Sequence, residues 1–386
     1  MWQEEAFSNR GRDVTQRFDL AVVGAGILGL AHALAAVRRG LSVVVIDRDA
    51  QANGASVRNF GFVTVTGQRA GDHWRRARRS RDVWAEVAPL AGIPIVQHGS
   101  LVTARHPESL TLIDAFLATD MGEGCRHLSP AQAHDLCPGL TDGLLGALWS
   151  PHELRVESRT AIPQLAAWLE QAHGVAFRRG AMVHAVALPR IATSTGPLEA
   201  EACIVCPGED FLGLYPERIA AYGLTKCLLQ MLRVRPAESF QLALPVMSDL
   251  TLARYDGYAM LPEAGSLKAR IAAERPAYPE AGIHLIAVAS ADGSLVVGDS
   301  HVYADTPEPF ASAAVDSLIL DELAATLAIG DAEVIERWTG IYASGGERLM
   351  LRDAPEPAVR LVMVTSGTGA STSFAIAEET MADLYD

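Results

Sequence analysis

The sequence predicts an α/β chain with a second, strand-rich domain built on an antiparallel sheet. Three stretches predict it. Residues 18–47 read strand, glycine turn, helix, strand; residues 226–301 are rich in strands; residues 360–384 read strand, small-residue loop, helix. At 386 residues the chain exceeds the roughly 250–300 at which a single core stops growing, so two domains are expected.

The first stretch carries the strongest signal. An apolar run, Leu20–Val23, meets Gly24-x-Gly26-x-x-Gly29; a helical stretch to Arg39 ends at Gly40, and a second apolar run, Val43–Ile46, closes on Asp47. Gly24 permits the tight turn off the strand, Gly26 lets backbone approach a pyrophosphate, and Gly29 lets the helix pack against the sheet. The start of the helix offers free N–H groups and partial positive charge to phosphates. Asp47 is placed to accept hydrogen bonds from a ribose. A lone glycine motif is a weak signal, but all of its context is present here and points to a dinucleotide site.

Further along, Gly54–Gly61 is a loop of small and polar residues leaving the sheet edge where ligands of open α/β folds sit. Residues 71–91 read as a helix whose five arginines form a solvated or salt-bridged face. Residues 94–104 suggest paired strands around Gly99, and helices are expected over 109–121, from Ser129 and over 160–173, with a strand at 146–150. Strands follow at 175–186 and 198–206, the latter ending on Pro207-Gly208. Residues 226–234, 251–260, 282–290 and 294–301 read as the strands of the middle sheet. A helix at 316–327, a strand at 333–343, a last strand at 360–365 and a helix at 375–384 complete the chain. Between the last two lies Ser366-Gly367-Thr368-Gly369-Ala370-Ser371, which lacks the lysine of a P-loop and can aim N–H groups at a polarised ring edge.

The bulk numbers narrow the function. A formal charge of −14 argues against nucleic-acid binding, so an anionic ligand must meet local basic residues. Five cysteines, an odd count in a long chain, suit a reducing compartment, and Cys203-x-x-Cys206 lies in an apolar run with no second pair, which reads as strand packing and not a metal site. Residues 1–16 lack the apolar core of a signal peptide and read as a mobile polar tail. Leu20–Val37 carries no charged side chain and nears transmembrane length, but its glycine spacing explains it better. A cytoplasmic protein acting away from membranes is expected, with its oligomeric state open.

With these residues in view, the chain resembles the D-amino-acid oxidase, glycine oxidase and sarcosine oxidase superfamily of FAD-dependent oxidoreductases. The matching pieces are VVGAGILG…VIDRD, GASVRNFG, VCPG and VTSGTGASTSFAIAEETMADL, in the family's order. The resemblance implies a Rossmann-like FAD-binding domain of discontinuous segments (17–92, 150–222 and 331–386) and a substrate domain (93–149 and 223–330) whose antiparallel sheet covers the flavin. Carried over by position, Gly24, Gly26, Ile27, Leu28 and Gly29 lie at the pyrophosphate, Asp47 at the ribose and Arg48 near the adenine. Ser56, Arg58 and Asn59 line the path to the flavin. Val183, Cys206 and Gly208 hold the adenosine side, while Gly340, Gly367, Thr368, Gly369 and Ala370 lie at the ribityl chain and ring.

Two departures from the family pattern are informative. Its amino-acid oxidases place a carboxylate-binding arginine after a Trp-x-Gly-like turn; here Trp338-Thr339-Gly340-Ile341 leads to Tyr342. The cysteine by which sarcosine oxidases bond their flavin has no counterpart near Gly340, which implies non-covalent FAD. The stretches SVRNFG (56–61), LQMLR (229–233) and GDSH (298–301) resemble the branch linked to aminophosphonate catabolism, implying 2-aminoethylphosphonate or an N-alkylated derivative as substrate.

Oxidising an amine at a flavin needs the neutral amine with a C–H bond pointed at the ring's N5; hydride transfer gives an imine that hydrolyses to an aldehyde. An anionic headgroup needs local cations, for which Arg58, Lys226, Arg254 and His301 are candidates, with Tyr342 beside them. Lys226 and His301 are the candidates for catalysis, Lys226 by favouring reduction of oxygen through its charge. Oxygen or another acceptor reoxidises the flavin. A glycine-, sarcosine- or D-amino-acid-oxidase-like enzyme, an NAD-dependent dehydrogenase and a non-catalytic dinucleotide-binding protein are the alternative readings.

Overall fold

The computed structural model describes residues 17–237 and 239–386. The stretch 1–16 expected as a tail lies outside the described residues. Two sheets organise the rest. The smaller is parallel at its centre, in the order Val359–Val364, Leu198–Val205, Arg17–Val23, Val43–Asp47, Ala176–Arg179, with Met350–Glu356 antiparallel at one edge. Its central strands are almost wholly apolar because helices and loops cover both faces, as parallel sheets require. The helix Ile27–Val37 begins at Gly26, earlier than the sequence suggests, and packs against both the sheet and the C-terminal helix Gly369–Tyr385. A Cβ on Gly29 would fall 1.8 Å from the Gly24 carbonyl oxygen, so glycine is the residue that allows this approach.

The larger sheet has ten strands and is antiparallel except where Val246–Met247 runs beside Ile95–Ala104. Its longest pairing joins Thr225–Arg235 to Glu333–Ser344. The strand Glu333–Ser344 therefore serves the larger sheet although the sequence boundary at 331 assigns it to the FAD-binding part. The strand Gly146–Val156 also belongs to the larger sheet, across the expected boundary at 150.

Three local expectations need correction. Residues 251–260 are the short helices Leu250–Arg254 and Asp256–Ala259, not a strand; Leu252, Tyr255 and Tyr258 recur at the three-residue spacing of a helix, and Leu252 and Tyr258 are fully buried. Residues 95–104 are one strand, not a pair: Gly99, at φ +70°, makes a bulge against Ser150 where the register shifts. The C-terminal helix starts at Gly369 and so takes in the small residues read as a loop.

The arginine-rich helix Asp72–Leu90 is a salt-bridged face. Arg76 forks onto Glu379 at 2.8 and 2.9 Å, Arg79 onto Glu378, and Arg78 reaches Glu123. All five cysteines are free, and Cys203 and Cys206 are buried with burial pushing both thiols up. Among the described residues no helix is long and apolar enough to cross a membrane.

Candidate active site

A cavity of about 800 Å³ runs between the two sheets, from the glycine loop and Asp47 to Arg254, His301 and Tyr342. Its size lies within the range of cofactor and ligand sites. Every residue proposed from the sequence lines it except Lys226.

The dinucleotide end is built from backbone. Asp47 Oδ2 accepts the Ala25 N–H at 2.6 Å and Oδ1 accepts that of Asp49 at 2.8 Å, so one carboxylate ties the end of the second strand to the glycine loop. Ser56 Oγ accepts the Ile27 N–H at 3.0 Å, and a Cβ on Gly26 would come within 2.9 Å of that oxygen. Leu28 and Gly29, in the first helical turn, also face the cavity. Asn59 bridges its own loop, donating to Ala55 O and accepting from the Gly61 N–H, both at 2.6 Å. Arg48 pairs with Asp210 at 2.9 Å, and Cys206, Gly208 and Val183 complete this end.

A second helix start meets the first. Gly369 opens the C-terminal helix, and a Cβ there would touch Ile27 Cγ2 at 3.6 Å. Two helix N-termini thus address one cavity, an arrangement suited to a pyrophosphate. Gly367, at φ +72°, lies under the ring of Tyr342: a Cβ would come within 2.9 Å of Tyr342 Cζ. Gly340 is likewise held bare against the Arg58 carbonyl, 2.9 Å from where a Cβ would sit. Arg58 donates to Asn53 Oδ1 at 3.1 Å and accepts the Trp338 indole N–H on its carbonyl at 3.2 Å. Bare glycines, paired helix starts and a carboxylate at the end of the second strand fit FAD along this cavity.

The opposite end is polar. Arg254 donates to Tyr303 Oη at 3.0 Å and has no ion pair among the described residues. Burial lowers the Arg254 value, but Tyr303, Tyr342 and Asp299 outweigh it, so the guanidinium is held charged. Tyr342, on Glu333–Ser344, is pushed well up by burial and stays a neutral phenol. Beside it buried His284 and Asp299 and half-buried His301 form a cluster. Burial raises Asp299 to about 7 against the opposing pull of Arg254; burial, with Arg254 and for His284 also His301, drives both imidazoles well below their ordinary value.

Sequence reasoning missed Asp299 and His284. The GDSH stretch contained Asp299 but flagged only its histidine, and no spacing links position 284 to 299. Lys226 stands elsewhere. It follows cavity-lining Thr225 on a strand, so alternation turns its side chain off the cavity wall; it pairs with cavity-lining Glu209 at 2.7 Å and lies over Phe211.

Comparison with known proteins agrees with this geometry. The bifunctional protein ThiO/ThiG of Nostoc sp. is 26% identical over 233 residues, covering 57% of this chain and 35% of that protein. The chain thus spans about a third of the length of the curated relatives it matches. Glycine oxidase from Bacillus cereus superposes with a TM-score of 0.74 at 18% identity, covering 95% of this chain and 96% of that one. L-proline dehydrogenase from P. horikoshii gives 0.76 at 15% identity, with 95% and 92% covered. L-α-glycerophosphate oxidase from Mycoplasma pneumoniae, solved with FAD bound, gives 0.72 at 15%, with 96% and 95% covered. The family described as FAD dependent oxidoreductase matches residues 19–384, nearly the whole chain. The chain belongs to the FAD dependent oxidoreductase family, and FAD is its cofactor.

Proposed function

We propose that this chain oxidises a small amine that carries an anionic headgroup, with 2-aminoethylphosphonate or an N-alkylated derivative as the substrate. The observation that carries the reading is Arg254: a cavity-lining guanidinium whose partner is a phenol, with no carboxylate within ion-pair distance among the described residues. A half-buried cation so placed calls for an anion from outside the chain. Tyr342, where related amino-acid oxidases carry an arginine, leaves Arg254 to set where the anion binds.

Bound FAD supplies the two-electron acceptor for the substrate's C–H bond. The protein's own work is orientation and exclusion of water. Arg254, with Tyr303 beside it, holds the anionic end; Tyr255 and Tyr342 wall the space between it and the residues that hold the ring edge. The imine product hydrolyses to an aldehyde, and oxygen or another acceptor takes the electrons. Small amino acids remain the second reading, favoured by likeness to glycine oxidase and to iminodiacetate oxidase from Chelativorans sp..

The test is product chemistry. FAD-loaded protein, given an electron acceptor and 2-aminoethylphosphonate or its N-methyl form, is expected to yield an aldehyde trapped as its hydrazone. Glyoxylate from glycine or sarcosine, with no aldehyde from either phosphonate, would move the substrate to amino acids.

A further inference from the structure

His301 Nδ1 lies 2.9 Å from the Gly282 carbonyl oxygen. A carbonyl only accepts, so Nδ1 carries the proton and Nε2 keeps its lone pair. That lone pair stands 3.7 Å from Asp299 Oδ2, too far for a hydrogen bond, and both residues line the cavity. Behind them Asp299 Oδ1 is buried without a hydrogen-bond partner, 3.3 Å from an equally unpartnered His284 Nδ1. With Asp299 ionised, two acceptors face each other at the cavity wall, and the place between them suits a donor. A nitrogen at ordinary hydrogen-bond length, about 2.9 Å from each, fits a 3.7 Å gap.

We propose that Asp299 and His301 form a clamp for the substrate's ammonium group and that Asp299 takes its proton. The inference rests on the amine-oxidation reading and deepens it. In the step, a substrate N–H bond breaks, its electron pair stays on nitrogen, and an O–H bond forms at Asp299 Oδ2, with His301 Nε2 accepting the neighbouring hydrogen bond. The amine is then neutral, as loss of its C–H hydride requires. The groups facing Asp299 are Arg254, Tyr255, Cys227, His284 and His301. Burial sets its carboxyl at about 7, close to a neutral working pH, where a general base is most effective.

With His284 the same pair also makes a two-histidine, one-carboxylate set of metal-ligand type. Arg254 favours the ammonium: its charge acts on all three residues and opposes a dication more than a monocation that can surrender its charge as a proton.

The experiment follows anaerobic flavin reduction by N-methyl-2-aminoethylphosphonate against pH in wild type, Asp299→Asn and His301→Gln, each checked for FAD loading by its visible spectrum. Wild-type reduction is expected to rise as pH increases through about 7. Asp299→Asn is expected to be at least about 100-fold slower at pH 7.5, recovering only near pH 10 where the free amine forms. His301→Gln should weaken the clamp and serves if Asp299→Asn fails to load FAD. Calorimetry on dithionite-reduced holoenzyme reads binding without turnover. Wild type is expected to prefer 2-aminoethylphosphonate over its N,N,N-trimethyl analogue, which has no N–H, by about tenfold or more, and either variant to lose that preference.

Variants with wild-type pH profiles and undiminished preference would overturn the clamp. So would a stoichiometric divalent metal in the holoenzyme whose chelation abolishes flavin reduction. If no amine reduces the wild-type flavin at any pH, the amine-oxidation reading fails instead, and the calorimetric preference still decides whether the clamp exists.

Discussion

The guanidinium of Arg254 donates to the phenol oxygen of Tyr303 over 3.0 Å, and this phenol stands where an ion-paired arginine would have a carboxylate. Arg254→Met should therefore raise KM for an anionic amine by about 100-fold, the roughly 2–3 kcal/mol of hydrogen bonds to a charged group. The limiting rate should change much less, because headgroup binding is shared by ground and transition states. Steady-state kinetics with 2-aminoethylphosphonate and an uncharged amine of similar length checks it; an equal effect on both would remove Arg254 from anion binding.

The Asp47 carboxylate holds the glycine loop through Ala25 and lines the cofactor end of the cavity. Asp47→Ala should weaken FAD binding about 10- to 100-fold by loosening the loop and removing an acceptor for ribose. Quenching of FAD fluorescence on titration into flavin-free protein measures it, and unchanged affinity would contradict the assignment.

Lys226 does not line the cavity, and its charge is paired with Glu209, which does. Lys226→Met should leave flavin reduction by the substrate within about twofold of wild type. A large loss in stopped-flow reduction would show that the side chain reaches the reacting groups.

Much of the cofactor end was legible in the sequence because its constraints are local. Gly29 is dictated by the Gly24 carbonyl one turn away, and Gly24 and Gly367 by their left-handed φ. The substrate end was not, because its chemistry is assembled across strands. His284 and Asp299 exchange backbone hydrogen bonds at 3.0 and 3.4 Å, a neighbourhood that no spacing encodes. Lys226 shows the converse: its charge was visible, but the face of the strand it occupies depends on register with Glu333–Ser344.

Stability should report Asp299 independently of catalysis. Its folded value, about 7, lies above the 3.8 of the unfolded chain. The stabilisation linked to its proton is therefore full below pH 3.8 and is lost as pH rises through about 7. Asp299→Asn removes this dependence, so the variant should melt higher than wild type at pH 8, by an amount on the order of a few kcal/mol. Thermal melts of ligand-free holoenzyme at pH 5 and pH 8 check it; a variant less stable at pH 8 than at pH 5, relative to wild type, would contradict it.

The most direct measurement is anaerobic bleaching of the bound flavin's visible absorbance by a panel of amines: 2-aminoethylphosphonate and its N-methyl form against glycine, sarcosine and a D-amino acid. Bleaching by the phosphonates, and by the carboxylates far more slowly or not at all, is the expected result. Rapid bleaching by glycine or sarcosine with the phosphonates inert would contradict the account, and would mean that Arg254 receives a carboxylate.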